Sequence, residues 1–223
     1  MKIRKYENKF QERQKKISKN INCLNNIRGI DIQKISLNKN EEYTLQSEEG
    51  LVIIYTNDGE ISCNKKLMTK HSFFITNVIK PIGIKSIKSN TNIVIIKIPE
   101  YKGEIDSDNL PLLIYEEDKT EVIDSQKTPK TISTIWLDKN IVPGLIVGGV
   151  RSQGENIVPT HKHPQIEQIF IPFPNNQAKI VIDENKYNFN EIVHIPLGSN
   201  HGVLSYEDGA IDYIWIDFIM EDI

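Results

Sequence analysis

Four of the five histidines of this 223-residue chain lie between positions 161 and 201. Three of them stand in two short segments, Pro159-Thr160-His161-Lys162-His163-Pro164-Gln165-Ile166-Glu167 and Pro196-Leu197-Gly198-Ser199-Asn200-His201. On a strand, His161 and His163 project from one face, because side chains alternate with a period of two. A turn through Pro164 then starts another strand, on which Glu167 can point into the same interior, and a later strand can bring His201 across. Three imidazoles and one carboxylate make a set for a divalent transition metal: the nitrogens suit Fe, Mn, Ni, Cu, Co or Zn, and the carboxylate inclines the site towards Fe or Mn. His194 and His71 match no position in this set and read as a packed or surface histidine and a loop histidine.

Other chemistries lack their residues. Gly149 and Gly154 have the spacing of a phosphate-binding loop, but Glu155-Asn156 follows where Lys-Ser/Thr is required. There is no GxSxG and no dinucleotide GxGxxG. Cys23 and Cys63 form no CxxC and no recognisable nucleophile motif, so reduced structural thiols are expected.

The elements that must hold the histidines are strands. The chain has 39 Ile and 11 Val but only two Ala, so a β-branched residue dominates and the best helix former is nearly absent. Strands are predicted over 43–45, 51–56, 60–63, 72–76 and 92–98, with Asn57-Asp58-Gly59 as a hairpin turn. A second series is predicted over 131–137, 144–151, 157–163, 167–173, 178–182, 192–195, 202–205 and 212–219. Between the two, an acidic, broken stretch marks a boundary, with 116–128 as a linker. The N-terminus differs. Ile3, Tyr6, Phe10, Ile17, Ile21 and Leu24 recur at helical intervals among basic residues, predicting an amphipathic helix over about 2–20 within a basic segment, 1–28. Its first twenty residues hold eight Lys or Arg against Glu7 and Glu12, while the whole chain carries a net charge of -3. No recognition helix or zinc finger accompanies it, so neither nucleic acid nor a membrane is expected as partner. No run approaches the ~18 apolar residues of a membrane span, no secretory signal or glycosylation sequon occurs, and a cytoplasmic location is expected.

With those residues set out, the chain resembles the cupins, small antiparallel double-sheet barrels. Their first motif carries His-x-His and then Glu after three residues; their second carries Pro-x-Gly-x-x-His. His161, His163 and Glu167 fit the first, and Pro196, Gly198 and His201 the second. The spacing departs at turn positions: the leading glycine appears as Gly154, one place early, the glycine after Glu167 is replaced near Pro174, and Asn190 and Ser205 stand at the ends of the second motif. Aligning 72–75 with 191–194 brings 83–86 opposite 202–205 and Ile82 opposite His201. The resemblance therefore implies an all-β chain of two tandem barrels: 29–115 without a metal motif, and 129–223 with His161, His163, Glu167 and His201 as ligands.

The resemblance further implies one divalent metal and a small-molecule substrate or ligand, through oxygenation or isomerisation, or else ligand binding without catalysis. Homodimerisation is expected through sheet edges or the helix. For the pocket, strand parity from Glu167 sets Ile169 and Ile171 inward with Gln168 and Phe170 on the other face. Tyr213 and Trp215 are further candidates, on a strand whose inner face the sequence leaves open. Arg151 could bind a substrate carboxylate with its planar fork of donors.

Overall fold

The computed structural model describes residues 5–6, 30–46, 50–77, 80–99, 101, 110–125 and 127–219. Most of the helix expected over 2–20 lies outside these residues. Within it, Lys5–Tyr6 form a short strand, β1.

In the N-terminal unit, the chain runs through β2 (Asp31–Leu37), β3 (Glu42–Leu45), β4 (Leu51–Asp58), β5 (Ile61–Cys63), β6 (Lys66–Met68), β7 (Phe73–Asn77), β8 (Ile82–Ser86), β9 (Thr91–Ile98) and β10 (Leu112–Ile114). These form two antiparallel sheets, ordered β10-β7-β4-β9-β2 and β3-β8-β5-β6. The facing sides enclose a core of Ile35, Leu45, Val52, Ile54, Cys63, Phe74, Ile82, Ile84, Ile93 and Ile95, among others. Burial pushes the Cys63 thiol up to about 12, which makes it an inert packing group. Asn57-Asp58-Gly59 is not a hairpin turn. β4 pairs with β7 and β9 while β5 pairs with β6 and β8, so this turn carries the chain from one sheet to the other.

The second unit contains β11 (Thr120–Val122), β12 (Ile132–Leu137), β13 (Leu145–Gln153), β14 (Asn156–His161), β15 (Ile166–Pro172), β16 (Lys179–Ile182), β17 (Asn185–Asn188), β18 (Ile192–Ile195), β19 (His201–Ser205) and β20 (Ala210–Ile219). Its sheets are β1-β18-β15-β20-β13-β12-β11 and β14-β19-β16-β17. The chain partitions between Asp118 and Lys119, so the segment read as an acidic linker supplies a 3-10 turn at Glu116–Asp118 and then β11, which pairs with β12.

The strand orders repeat. β7 lies between β10 and β4 as β18 lies between β1 and β15, and β8 lies between β3 and β5 as β19 lies between β14 and β16. The repeat aligned from short sequence runs therefore joins equivalent strands, with Ile82 and His201 each the first residue of its strand. β4 and β15 are buried nearly throughout, including both faces, so their sequences show no clean alternation.

Candidate metal centre

Three strand ends assemble the histidines. His161 closes β14 and is the register partner of His201, which opens β19. His163 follows two residues later, before the turn at Pro164, and its carbonyl accepts a hydrogen bond from the Gly198 N–H at 3.0 Å. That bond ties the two motif loops together. Gly198 has φ +74°, a left-handed turn conformation that a side chain would disfavour. The ring centroids of His161 and His201 are 4.6 Å apart, those of His161 and His163 4.9 Å, and those of His163 and His201 5.5 Å. One nitrogen from each ring lies within 4.8 Å of the others, as ligands of one ion must.

The hydrogen bonds orient the rings for ligation. His161 Nδ1–H donates to the Pro159 carbonyl at 2.8 Å, and His201 Nδ1–H donates to the Ser199 carbonyl at 3.0 Å. Each bond places the proton on Nδ1 and leaves the Nε2 lone pair to bind, the arrangement that a backbone acceptor imposes on a ligating imidazole. His201 Nε2 is buried and has no hydrogen-bond partner. Burial, reinforced by the neighbouring imidazoles, holds His201 down to about 4 against the opposing Ser199 bond. It also lowers His163, with His161 adding to the effect and Asp124 opposing it. Neutral imidazoles are the state a metal requires.

Glu167 is not in this group. Phe170 packs in the barrel core and its ring lies 5.7 Å from that of His201, so Gln168 and Phe170 share the inner face of β15, while Glu167, Ile169 and Ile171 share the other. Glu167 Oε2 lies 3.7 Å from His194 Nε2 on that outer face, too far for a hydrogen bond. The inward placement expected for Ile169 and Ile171 is thus reversed, because the turn after His163 shifts the strand by one residue. Arg151 also points away from the interior. Its Nε lies 3.2 Å from Asp212 Oδ1, and its neighbour Val150 is the core residue. Tyr213 and Trp215 do face inward, with Tyr213 4.9 Å from Phe170.

The inner face carries polar residues that sequence reasoning missed. Gln168 Nε2 donates to Asp217 Oδ1 at 2.7 Å. Burial lifts the Asp217 carboxyl to about 7, although the Gln168 bond and the Lys127 charge pull the other way. Lys127 pairs with Asp124 in the loop after β11, and the two act electrostatically on His163 and, separately, on Asp217 and Tyr213. The signal for Asp217 was the Tyr213-Trp215-Asp217 alternation, which needed only the side of the sheet to be known. Nothing in the sequence marked Lys127.

No family model and no curated protein matches the chain. Solved structures do. It is similar to a cupin 2 conserved barrel domain protein from Leptotrichia buccalis, at 18% identity over 85% of this chain and 83% of that one, with a TM-score of 0.53. The chain has the cupin fold, twice over. The chain is also similar to the Lactobacillus farciminis oxalate decarboxylase crystallised with formate, at 9% identity, 85% and 77% coverage and a TM-score of 0.65. A third likeness is to the salicylate 1,2-dioxygenase of Pseudoaminobacter salicylatoxidans, at 10% identity, 85% and 70% coverage and a TM-score of 0.59. At these identities the likeness is one of fold. Among the described residues no helix is long and apolar enough to cross a membrane.

Proposed function

We propose that this bicupin holds one divalent transition metal on His161, His163 and His201 in its C-terminal barrel, 129–223, and acts there on a small organic molecule. The N-terminal barrel, 29–115, is metal-free in this reading. The observation that carries it is the convergence of three imidazoles, two of them turned by backbone carbonyls so that Nε2 is left to bind. A metal held by three neutral imidazoles supplies Lewis acidity or a redox couple and keeps positions open to substrate.

Catalysis is favoured over ligand binding alone by Asp217, a buried carboxyl on the inner face of the same barrel that can exchange a proton near neutral pH. The similar solved structures include an oxalate decarboxylase and a salicylate 1,2-dioxygenase, so a screen of small organic molecules is the starting point. Elemental analysis of the purified chain beside a His161→Ala/His163→Ala variant tests the reading. Near-stoichiometric metal in the first and its loss from a folded second are expected. Absence of metal from both, after reconstitution with Fe(II), Mn(II), Ni(II) and Zn(II), overturns it. The reading includes homodimerisation, and sedimentation as a 25.6 kDa monomer at micromolar concentration would remove that part.

A further inference from the structure

The inner face beside the histidines holds more polar capacity than its own hydrogen bonds consume. Gln168 is 5% exposed; its amide N–H reaches Asp217, while its Oε1 is buried with no hydrogen-bond partner. Trp215 Nε1, on the same face of β20 as Asp217, is likewise buried without one. Buried donors and acceptors left open are costly, and such groups are normally met by another molecule. The face therefore offers an incoming ligand one donor, one acceptor and one carboxyl. Lys127, the described cation that acts on Asp217, is already held by Asp124, so the part of a ligand that lies against Asp217 is uncharged.

We propose that Asp217 is the proton-transfer residue of this site, acting on a small neutral hydroxy-carbonyl compound whose carbonyl accepts from Trp215 and whose hydroxyl donates to Gln168. The inference rests on the metal centre proposed above. Asp217 carboxylate takes the proton from the carbon between hydroxyl and carbonyl. The C–H bond breaks, an O–H bond forms on Asp217, and the electron pair moves onto the carbonyl oxygen as an enolate. Return of a proton to that carbon restores the substrate and the carboxylate, so the cycle needs no oxidant or reductant. Gln168 is a positioning residue, because its N–H fixes the carboxyl it serves. The barrel wall also confines the ring of Trp215: a Cβ at Gly148 would stand 2.1 Å from it. The groups that act on or are acted on by Asp217 are Gln168, Lys127 and Tyr213.

The test uses full-length protein loaded with Zn(II) and hydroxyacetone in D2O, with loss of the methylene proton signal followed by NMR and zinc content measured on the same samples. Wild type is expected to exchange at least ~100-fold faster than Asp217→Asn, both holding one zinc per chain. A binding readout accompanies it: the Asp217 carboxyl carbon resonance moves on addition of hydroxyacetone in wild type and not in a Gln168→Met/Trp215→Phe variant. Equal exchange by zinc-loaded wild type and Asp217→Asn, or wild-type exchange no faster than free Zn(II), overturns the proposal and leaves the metal reading standing. Failure of wild type to hold any of zinc, Fe(II), Mn(II) or Ni(II) on reconstitution overturns both. Where Asp217→Asn does not fold, Gln168→Met replaces it, and wild-type exchange by that variant is equally fatal.

Discussion

Ile82 occupies in the N-terminal barrel the strand position that His201 occupies in the C-terminal one. Their partners correspond as well: Ile82 pairs with Leu45 where His201 pairs with His161. Both Leu45 and Ile82 are 2% exposed and belong to the core. One barrel fills this place with hydrocarbon, and the other fills it with the imidazoles of His161 and His201. Burial of the Leu–Ile pair contributes stability outright, on the order of 1.5–3 kcal/mol per side chain.

The imidazole site is correspondingly sensitive to acid when it holds no metal. His201 titrates near 4 when folded and near 6.5 when unfolded. The unfolded chain therefore binds more protons in this window, and stability falls as pH drops from about 6.5 through about 4. The loss from this group is roughly 3 kcal/mol. Urea denaturation of metal-free protein at pH 7 and pH 4.5 should show it, and His201→Leu should flatten the decline. An unchanged slope in that variant would place the acid sensitivity elsewhere.

Asp217 works in the opposite direction. Its folded value near 7 lies above the ordinary 3.8, so the unfolded chain loses its proton first and stability falls as pH rises from about 4 through about 7. Asp217→Asn keeps an acceptor for Gln168 and removes the titration. The variant should gain stability over wild type at pH 8 and lose that gain at pH 4. A difference independent of pH would contradict the assignment.

Glu167 faces His194 and away from the imidazoles. Glu167→Gln should hold metal as wild type does, within about threefold in Kd by competition with a chromophoric chelator, whereas His201→Ala should lose at least ~100-fold. Equal losses from the two would return Glu167 to the ligand set.

Arg151 is half exposed, while Asp212 is almost fully buried and also accepts from Asn175 at 2.9 Å. Removing the guanidinium by Arg151→Ala leaves a buried carboxylate with one donor fewer, at a cost of about 1–3 kcal/mol. Metal content should not change, since the pair stands on the outer face. Thermal denaturation with elemental analysis separates the two effects.

Gly148→Ala should destabilise by about 1–3 kcal/mol, because the new methyl meets the Trp215 ring. In a Trp215→Ala background the same change should cost less, the remainder coming from the Thr134 carbonyl oxygen, 2.7 Å from the new Cβ. Additive costs in that cycle would mean the contact is not the cause.

How far the sequence could be read varied with the physics of each segment. His161, His163 and His201 were legible because alternation and loop length bring them together without knowledge of the core. Glu167 was not, since β15 is apolar on both faces and a one-residue shift in the turn at Pro164 exchanges them. β2 was missed because Asp31, Gln33 and Lys34 interrupt its apolar run, although Gln33 and Lys34 are buried. β11 was missed because it is short and exposed throughout, and only its pairing with β12 makes it a strand. Asn57-Asp58-Gly59 carries turn residues whose local chemistry is the same whether a chain doubles back or changes sheets.

Strand β1 meets its partner β18 across nearly the whole length of the chain, Lys5 opposite Val193 and Tyr6 opposite Ile192. During synthesis Lys5 and Tyr6 must therefore remain without their strand partner until residues 192 and 193 have been made. Until then the backbone amides and carbonyls of Lys5 and Tyr6 have no strand to pair with, and unpaired strand backbone is the kind of edge to which foreign strands add. In the N-terminal barrel the corresponding edge of β7 is met by β10 from only about forty residues further on. Synthesis thus finishes one barrel from neighbouring stretches of chain, whereas the other takes an edge strand from residues made long before the rest of it.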